Sequence, residues 1–323
     1  MTSLLEVQDL RVRFPRGTGG ITPVDGVSFT IERGEMLALV GESGAGKSLT
    51  GLALLRLVPP PGRIEPGSSI HLGDTDLLRL EGEALRQVRG RRIAMVFQDP
   101  MSSLNPVLTI GDQISETIQA HAEMSAREAR GRAQSLLAEV GLGDGTSRYR
   151  SYPHQLSGGM RQRVMLAISL AAGPDLLIAD EPTSALDVTV QAQILELLDR
   201  LRASHGLAVL LITHDLGVVA GRADRVAVMY AGRIVEEAPT AALFTGPAHP
   251  YTQGLLASLP RLRGPRRPLE PIAGTVPVPG QWPEGCRFHP RCPRVMPKCT
   301  MEPPLVRLEE QRTMRCWLGV TEG

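Results

Sequence analysis

Residues 41–48 read GESGAGKS and fit the pattern G-x-x-x-x-G-K-[ST]. No other stretch constrains so tightly what the chain can fold into, because this pattern works only between a buried strand and the first turn of a helix. Both flanks have that form. Residues 36–40, MLALV, are a short apolar run suited to a strand buried on both faces of a parallel sheet. After the loop, LTGLALLRLV carries helical apolar spacing until the prolines at 59–61. An ordinary glycine-rich turn would match the loop but would need neither flank. Gly44 and Gly46 let the backbone curl so that successive N–H groups face an anion, at the positive end of a helix dipole. Lys47 brings a compact ammonium that reaches between β- and γ-phosphates, and Ser48 a hydroxyl suited to Mg²⁺. Ser43, Ala45 and Leu49 complete the expected phosphate-binding set. Of 35 basic residues only Lys47 and Lys298 are lysine, so this lysine is not drawn from a common background.

Three more apolar runs end in polar chemistry. LLIADE (176–181) ends in two carboxylates: Asp180 is expected to hold Mg²⁺ through water, and Glu181 to polarise an attacking water. AVLLIT is followed by His214, within reach of a γ-phosphate if it sits at the same sheet edge. RIAMVF is followed by Gln98, an amide expected to sense the γ-phosphate or its water and to share Mg²⁺ with Ser48 and Asp180. Each alone reads equally well as a solvated strand end. Four such endings in one chain argue for one crevice at the carboxyl edge of a parallel sheet.

A second candidate anion site is LSGGMRQRV (156–164), where Ser157, Gly158 and Gly159 open an apolar helix that runs to about Gly173. A plain serine-capped helix start would look the same. Yet one chain needs only one loop for its own triphosphate, so a second site suggests a nucleotide presented by another subunit.

With these motifs the chain resembles the ATP-binding cassette ATPases. The resemblance implies that Ser157, Gly158 and Gly159 close over ATP held by a partner's loop. Met160 stands where that family most often has glutamine. SALD (184–187) is similar to the family's D-loop, which implies that Asp187 helps join two composite sites. Phe14, in LRVRF, is similar to the aromatic that stacks on adenine, a contact worth about 1–3 kcal/mol by analogy with base stacking. An ordinary core phenylalanine fits that position too, and Val24 is another candidate for the same surface.

The expected fold is α/β: a P-loop core of mostly parallel sheet, with an antiparallel β subdomain, an inserted helical subdomain over about 99–165, and a small irregular extension. The core would span 1–245 and the extension 246–323. Residues 4–14 and 27–32 alternate as antiparallel strands do, and 226–237 read as a hairpin turning at Ala231-Gly232. Residues 115–139 are polar and alanine-rich, as in a helix, and the resemblance implies that they contact a membrane permease, with Gln98 as the hinge that reports nucleotide state. The stretch 188–206 has apolar residues at 190, 194, 197, 198 and 201, with Gly206 as its stop.

Formal net charge is +1 over 323 residues, which gives no strong pull toward nucleic acid or anionic lipid. No run approaches 18 apolar residues, and MTSLLEVQDLRV lacks the form of a secretory signal, so the expected location is cytoplasmic. Thiols there are expected as ligands or free groups, not disulfides.

All four cysteines lie in the extension: Cys286, Cys292, Cys299 and Cys316, spaced C-x5-C-x6-C-x16-C. This is neither the paired knuckles of common zinc ribbons nor the tight run of bacterial ferredoxins. Spacing leaves an iron–sulfur cluster, a zinc site and unliganded thiols open. A segment this rich in proline and glycine needs docking or a staple to hold its shape. HPYTQGLLASLP (249–260) and IAGTVPVPGQWPEGCRFHPRCP (272–293) resemble the C-terminal extension of dipeptide/oligopeptide importer ATPases. That resemblance implies a structural [4Fe–4S] cluster on the four cysteines, with zinc as the alternative. It also implies a second, unlike ATPase subunit, two permease subunits, a separate substrate-binding protein, and a place at the cytoplasmic face of a bacterial inner membrane. Peptide import is the expected function, with nickel or another small solute as alternative cargo. A soluble cassette ATPase acting on nucleic acid or ribosomes is the contrasting reading; near-neutral charge and a short insertion speak against it.

Overall fold

The structure is a computed structural model that describes residues 3–16, 19–99, 103–184, 186–259, 271–309 and 311–320. Strands and helices alternate along the chain as β1 (Leu5–Arg16), β2 (Gly19–Ile31), β3 (Met36–Val40), α1 (Lys47–Leu54), β4 (Arg63–Ile64), β5 (Ser69–Leu72), β6 (Thr75–Asp76), α2 (Gly82–Val88), β7 (Ile93–Val96), α3 (Ile110–His121), α4 (Ala126–Glu139), α5 (Gly158–Leu170), β8 (Leu176–Asp180), α6 (Val188–His205), β9 (Ala208–Thr213), α7 (Leu216–Val219), β10 (Arg225–Tyr230), β11 (Arg233–Pro239), α8 (Thr240–Thr245), α9 (Pro250–Ala257), β12 (Leu305–Glu309) and β13 (Arg312–Arg315). Two compact units result. The first holds residues 1–32, 36–78 and 212–323; the second holds 33–35 and 79–211.

In the first unit an antiparallel sheet runs β2-β1-β5-β6, with β4 also on β1. Its alternating sequence buries Leu5, Val7, Leu10 and Val12 on β1 against Val24, Val27 and Ile31 of β2. A second sheet orders β12-β13-β11-β10-β3, with β3 and β10 parallel and the other pairs antiparallel. The β10–β11 hairpin turns at Ala231 (φ 45°) and Gly232 (φ 85°), as expected; two positive φ angles define the turn whose twist matches its strands. Helix α1 ends earlier than the prolines require. Leu57 N–H bonds Leu52 C=O at 2.8 Å and Arg56 N–H bonds Ala53 C=O at 2.9 Å, with Arg56 left-handed at φ 52°. This closing motif satisfies the last carbonyls and stops the helix by itself.

The extension folds within this first unit. Strand β13 adds to β11 through Glu236↔Met314 and Glu237↔Thr313. Glu236, fully buried, accepts the N–H groups of Ala248 and His249 at 2.8 Å each and pairs with Arg312 at 3.3 Å. Burial lowers the His249 pKa to about 4, so its neutral ring can accept the Tyr251 N–H at 3.0 Å and cap α9. Tyr230, Tyr251 and Phe288 then form an aromatic cluster with centroids 4.6–5.3 Å apart. Arg287 stacks on Trp282 and donates to Asp25 and the Ala231 carbonyl. The segment predicted to need docking or a staple is docked.

In the second unit the strand order is β9-β8-β7, with β7 and β8 parallel and every residue of β7 and β8 buried. The polar run 115–139 is two helices, not one. Ser125 and Glu128 form a reciprocal capping box that opens α4, which breaks the run at 122–125. Helix α6 buries Ile194, Leu197, Leu198 and Leu201 and stops at left-handed Gly206 (φ 62°), as the sequence predicts.

Candidate nucleotide site

The GESGAGKS loop joins β3 to α1 inside the first unit. Gly41 and Gly46 are required sterically. A Cβ on Gly41 would stand 2.1 Å from the Met229 carbonyl, and one on Gly46 would stand 2.6 Å from the Pro23 carbonyl with φ at 104°. Gly44, also at positive φ, faces open space instead, with nothing within 4 Å of an added Cβ. Lys47, buried, donates from Nζ to the Gly41 carbonyl at 2.7 Å and the Glu42 carbonyl at 3.0 Å. Its ammonium is thus folded over the loop's own backbone. The Thr50 hydroxyl bonds the Gly46 carbonyl at 3.0 Å, and Gly232 N–H bonds the Ala45 carbonyl at 2.9 Å, so the hairpin turn braces the loop. Ser43, Ser48 and Leu49 sit in the same loop and first helical turn.

Three other predicted residues lie in this unit. The Phe14 ring packs against Gly62, where a Cβ would meet it at 2.6 Å, and it is half-buried. Val24 is set against Gly46 beside Met229, its Cγ2 3.5 Å and the Met229 Cε 2.8 Å from the ideal Cβ position. His214 is exposed just after β9, next to Asp215, whose carboxylate caps α7 through Gly217 N–H at 2.8 Å.

The second unit brings the remaining predicted groups together in two places. Asp180, buried, ends β8, and Glu181 follows in a left-handed conformation (φ 44°). Positive φ in a non-glycine residue is uncommon and stored at functional sites often enough to mark this one. Gln98 Nε2 donates to Glu181 Oε2 at 3.1 Å, so the two residues read separately from two strands meet. The signature and the D-loop stretch also meet. Ser157 caps α5 through Met160 N–H, and Asp187 caps α6 through Thr189 and Val190 N–H at 3.1 and 3.0 Å. A Cβ on Gly159 would stand 2.5 Å from Val190 Cγ1, and one on Gly158 3.3 Å from Leu186. Ala185 of that stretch lies outside the described residues. Between β7 and α5 an open groove of about 470 Å³ is lined by Met95, Phe97, Ser103, Met165, Ile168 and Ser169.

The four thiols share one region of the first unit. Cys286, Cys299 and Cys316 are buried and Cys292 is half-buried. Cys286 N–H bonds the Cys299 carbonyl at 3.0 Å, a close approach that needs Gly285: a Cβ there would strike the Thr300 backbone at 2.4 Å. Burial, then proximity to the other three thiols, pushes Cys286 up to about 11; burial and neighbouring thiols also raise Cys292 and Cys316. Among the described residues, however, no group of three or more His, Cys, Asp or Glu side chains is arranged to hold a metal ion.

Sequence reasoning did not single out Glu42, Tyr251 or Arg291. Tyr251 Oη accepts the Glu42 N–H at 2.9 Å, and Arg291 grips both Glu42 carboxylate oxygens at 2.8 and 3.0 Å. One of 33 arginines carries no signal of its own, and its partner is 249 residues away.

A buried strand, a glycine-shaped anion cradle with a folded-over lysine, and a helix start define a P-loop nucleotide-binding protein. The family profile for ABC transporters matches residues 24–184, and that for the oligopeptide/dipeptide transporter C-terminal region matches 235–299. The chain is 52% identical over 324 residues to the oligopeptide transport ATP-binding protein AppD of Bacillus subtilis, covering 100% of this chain and 99% of that one. It is 48% identical over 319 residues to the dipeptide transport ATP-binding protein DppD of the same species, covering 98% and 95%. Among solved structures, the dimeric ATP-binding cassette MJ0796 bound to ADP and Pi is 28% identical, with a TM-score of 0.64, covering 73% of this chain and 98% of that one. The chain belongs to the ABC transporter ATP-binding family, in its oligopeptide/dipeptide branch, and is an ATPase of the transport-coupled kind. Among the described residues no helix is long and apolar enough to cross a membrane.

Proposed function

We propose that this chain hydrolyses ATP to drive import of di- or oligopeptides through a membrane permease. The observation that carries the reading is the phosphate loop with its buried Lys47, joined in one chain to an extension of the oligopeptide/dipeptide type. The named relatives AppD and DppD act in oligopeptide and dipeptide transport, which supports peptides as cargo over another small solute.

In this reading Ser43 to Leu49 cradle the phosphates, Phe14 or Val24 meets the adenine, and Ser48, Asp180 and Gln98 hold Mg²⁺. Mg²⁺ would neutralise charge developing on the transferred phosphoryl group. Glu181 polarises the attacking water, held until then by Gln98, and His214 meets the γ-phosphate. Ser157, Gly158, Gly159 and Asp187 act on ATP held by a second, unlike ATPase subunit. Two permease subunits dock on the helical insertion, a role supported by the open apolar groove beside Phe97 and Ser103. A separate binding protein delivers the peptide, and the assembly works at the cytoplasmic face of the inner membrane. For the extension we propose a structural [4Fe–4S] cluster, or zinc, on Cys286, Cys292, Cys299 and Cys316. Its support is that the four thiols lie in one region of the extension, three of them raised first by burial, which a bound cation would relieve. Glu181→Gln in the assembled transporter should cut turnover by about 10²- to 10⁴-fold while ATP binding persists. Unchanged turnover would overturn the assignment.

A further inference from the structure

The phosphate loop is gripped by the C-terminal extension. Glu42, the second residue of GESGAGKS, has its carboxylate held at both oxygens by Arg291 (2.8 and 3.0 Å) and its N–H held by the Tyr251 hydroxyl (2.9 Å). Its carbonyl in turn accepts from the Lys47 ammonium at 3.0 Å. A continuous chain of polar contacts therefore runs from Arg291 through Glu42 to the residue that reaches for the phosphates.

Arg291 is fixed for this task. Its side chain is only 5% exposed, and its remaining donors go to the Ala273 carbonyl (2.8 Å), the Ile272 carbonyl (3.4 Å) and the Tyr230 hydroxyl (3.4 Å). It lies in the loop between Cys286 and Cys292, one residue before the latter. Tyr251 is fully buried within the Tyr230–Tyr251–Phe288 cluster, so its hydroxyl is held as firmly. A bidentate guanidinium–carboxylate pair is directional, and lysine cannot reproduce it.

We infer that Arg291 and Tyr251 are positioning residues of the nucleotide site: by holding Glu42 they set the phosphate loop in its binding conformation, so nucleotide affinity depends on the docking of the cysteine-bearing extension. Loss of the grip lets the loop sample conformations with Lys47 and the N–H groups misdirected. Apparent affinity falls in proportion to the competent fraction. This rests on the proposed reading only in that the loop binds MgATP; it does not depend on the cargo, the partner subunits or a cluster.

The test is binding of mant-ATP with Mg²⁺ to the full chain, for wild type, Arg291→Ala, Arg291→Lys, Glu42→Gln, Tyr251→Phe and the Arg291→Ala/Glu42→Gln double variant. Arg291→Ala and Glu42→Gln should each weaken binding about tenfold, on the premise that the competent fraction falls to about a tenth. The double variant should be no weaker than the worse single one, Arg291→Lys should recover part of the loss, and Tyr251→Phe should cost about threefold if one of the two holds on Glu42 is lost. Far-ultraviolet circular dichroism checks that each variant is folded; if Arg291→Ala is not, Arg291→Lys against Tyr251→Phe gives the readout. Wild-type affinity in folded Arg291→Ala, or fully additive losses in the double variant, would overturn the inference. Failure of the wild-type chain itself to bind mant-ATP would instead overturn the nucleotide reading.

Discussion

Glu236 is a fully buried anchor of the extension. Its carboxylate is fully buried and accepts two backbone N–H groups, from Ala248 and His249, besides pairing with Arg312, whose side chain is 14% exposed. Glu236→Ala leaves both N–H groups without an acceptor and strips a buried guanidinium of its carboxylate. An unsatisfied buried donor costs about 1–3 kcal/mol, so the two come to about 4 kcal/mol, and Arg312, which keeps the Gly246 carbonyl as a partner, adds little. The chain's two tryptophans, Trp282 and Trp317, both lie in the extension, so intrinsic fluorescence reports that segment and little else. With a urea slope of about 2 kcal/mol per M, the fluorescence midpoint should fall by about 2 M. Glu236→Gln, which keeps one acceptor oxygen, should fall by about half as much. A midpoint within about 0.3 M of wild type for Glu236→Ala, a loss of roughly 0.6 kcal/mol at that slope, would refute the reasoning, because it would mean that the two N–H groups do not depend on the Glu236 carboxylate.

Two further outcomes separate the roles read in the loop and the extension. Gly46→Ala should abolish mant-ATP binding, since its Cβ would stand 2.6 Å from the Pro23 carbonyl, whereas Gly44→Ala, which meets nothing within 4 Å, should cost only the backbone strain of about 1–3 kcal/mol; equal losses in a binding titration would contradict this. Anaerobic purification followed by iron and acid-labile sulfide assay should give about four of each per chain, as a [4Fe–4S] group requires, and colourless protein with one zinc would replace the cluster by the alternative metal.

What the sequence made legible was local chemistry. Apolar runs marked β3, β7, β8 and β9 because strands buried on both faces have no alternation to hide them. The hairpin turn at Ala231-Gly232 and the stop at Gly206 were legible because positive φ restricts which residues can serve. The break between α3 and α4 was equally present in the sequence, as Ser125 followed three residues later by Glu128, but composition outweighed it. The early end of α1 was hidden, since its closing residue is an arginine, a type that rarely takes φ 52°.

The extension shows where local reading ends. Its own sequence has no periodicity, and the correct expectation was that something must dock or staple it. What docks it is spread over the rest of the first unit: Glu236 on β11, Asp25 on β2, Tyr230 at the end of β10, and Glu42 in the phosphate loop. None of these announces itself, because each is an ordinary residue until its partner arrives from far along the chain. Their arrangement nevertheless obeys one rule. Every anchor either borders the phosphate loop or lies on the hairpin whose Gly232 braces Ala45, apart from Asp25, which Arg233 ties to that same hairpin at 2.8 Å. An appendage that needed only to be held could have used any exposed edge. This one is fastened around the loop that defines the protein, so its folding and the shape of the nucleotide site are set by the same contacts.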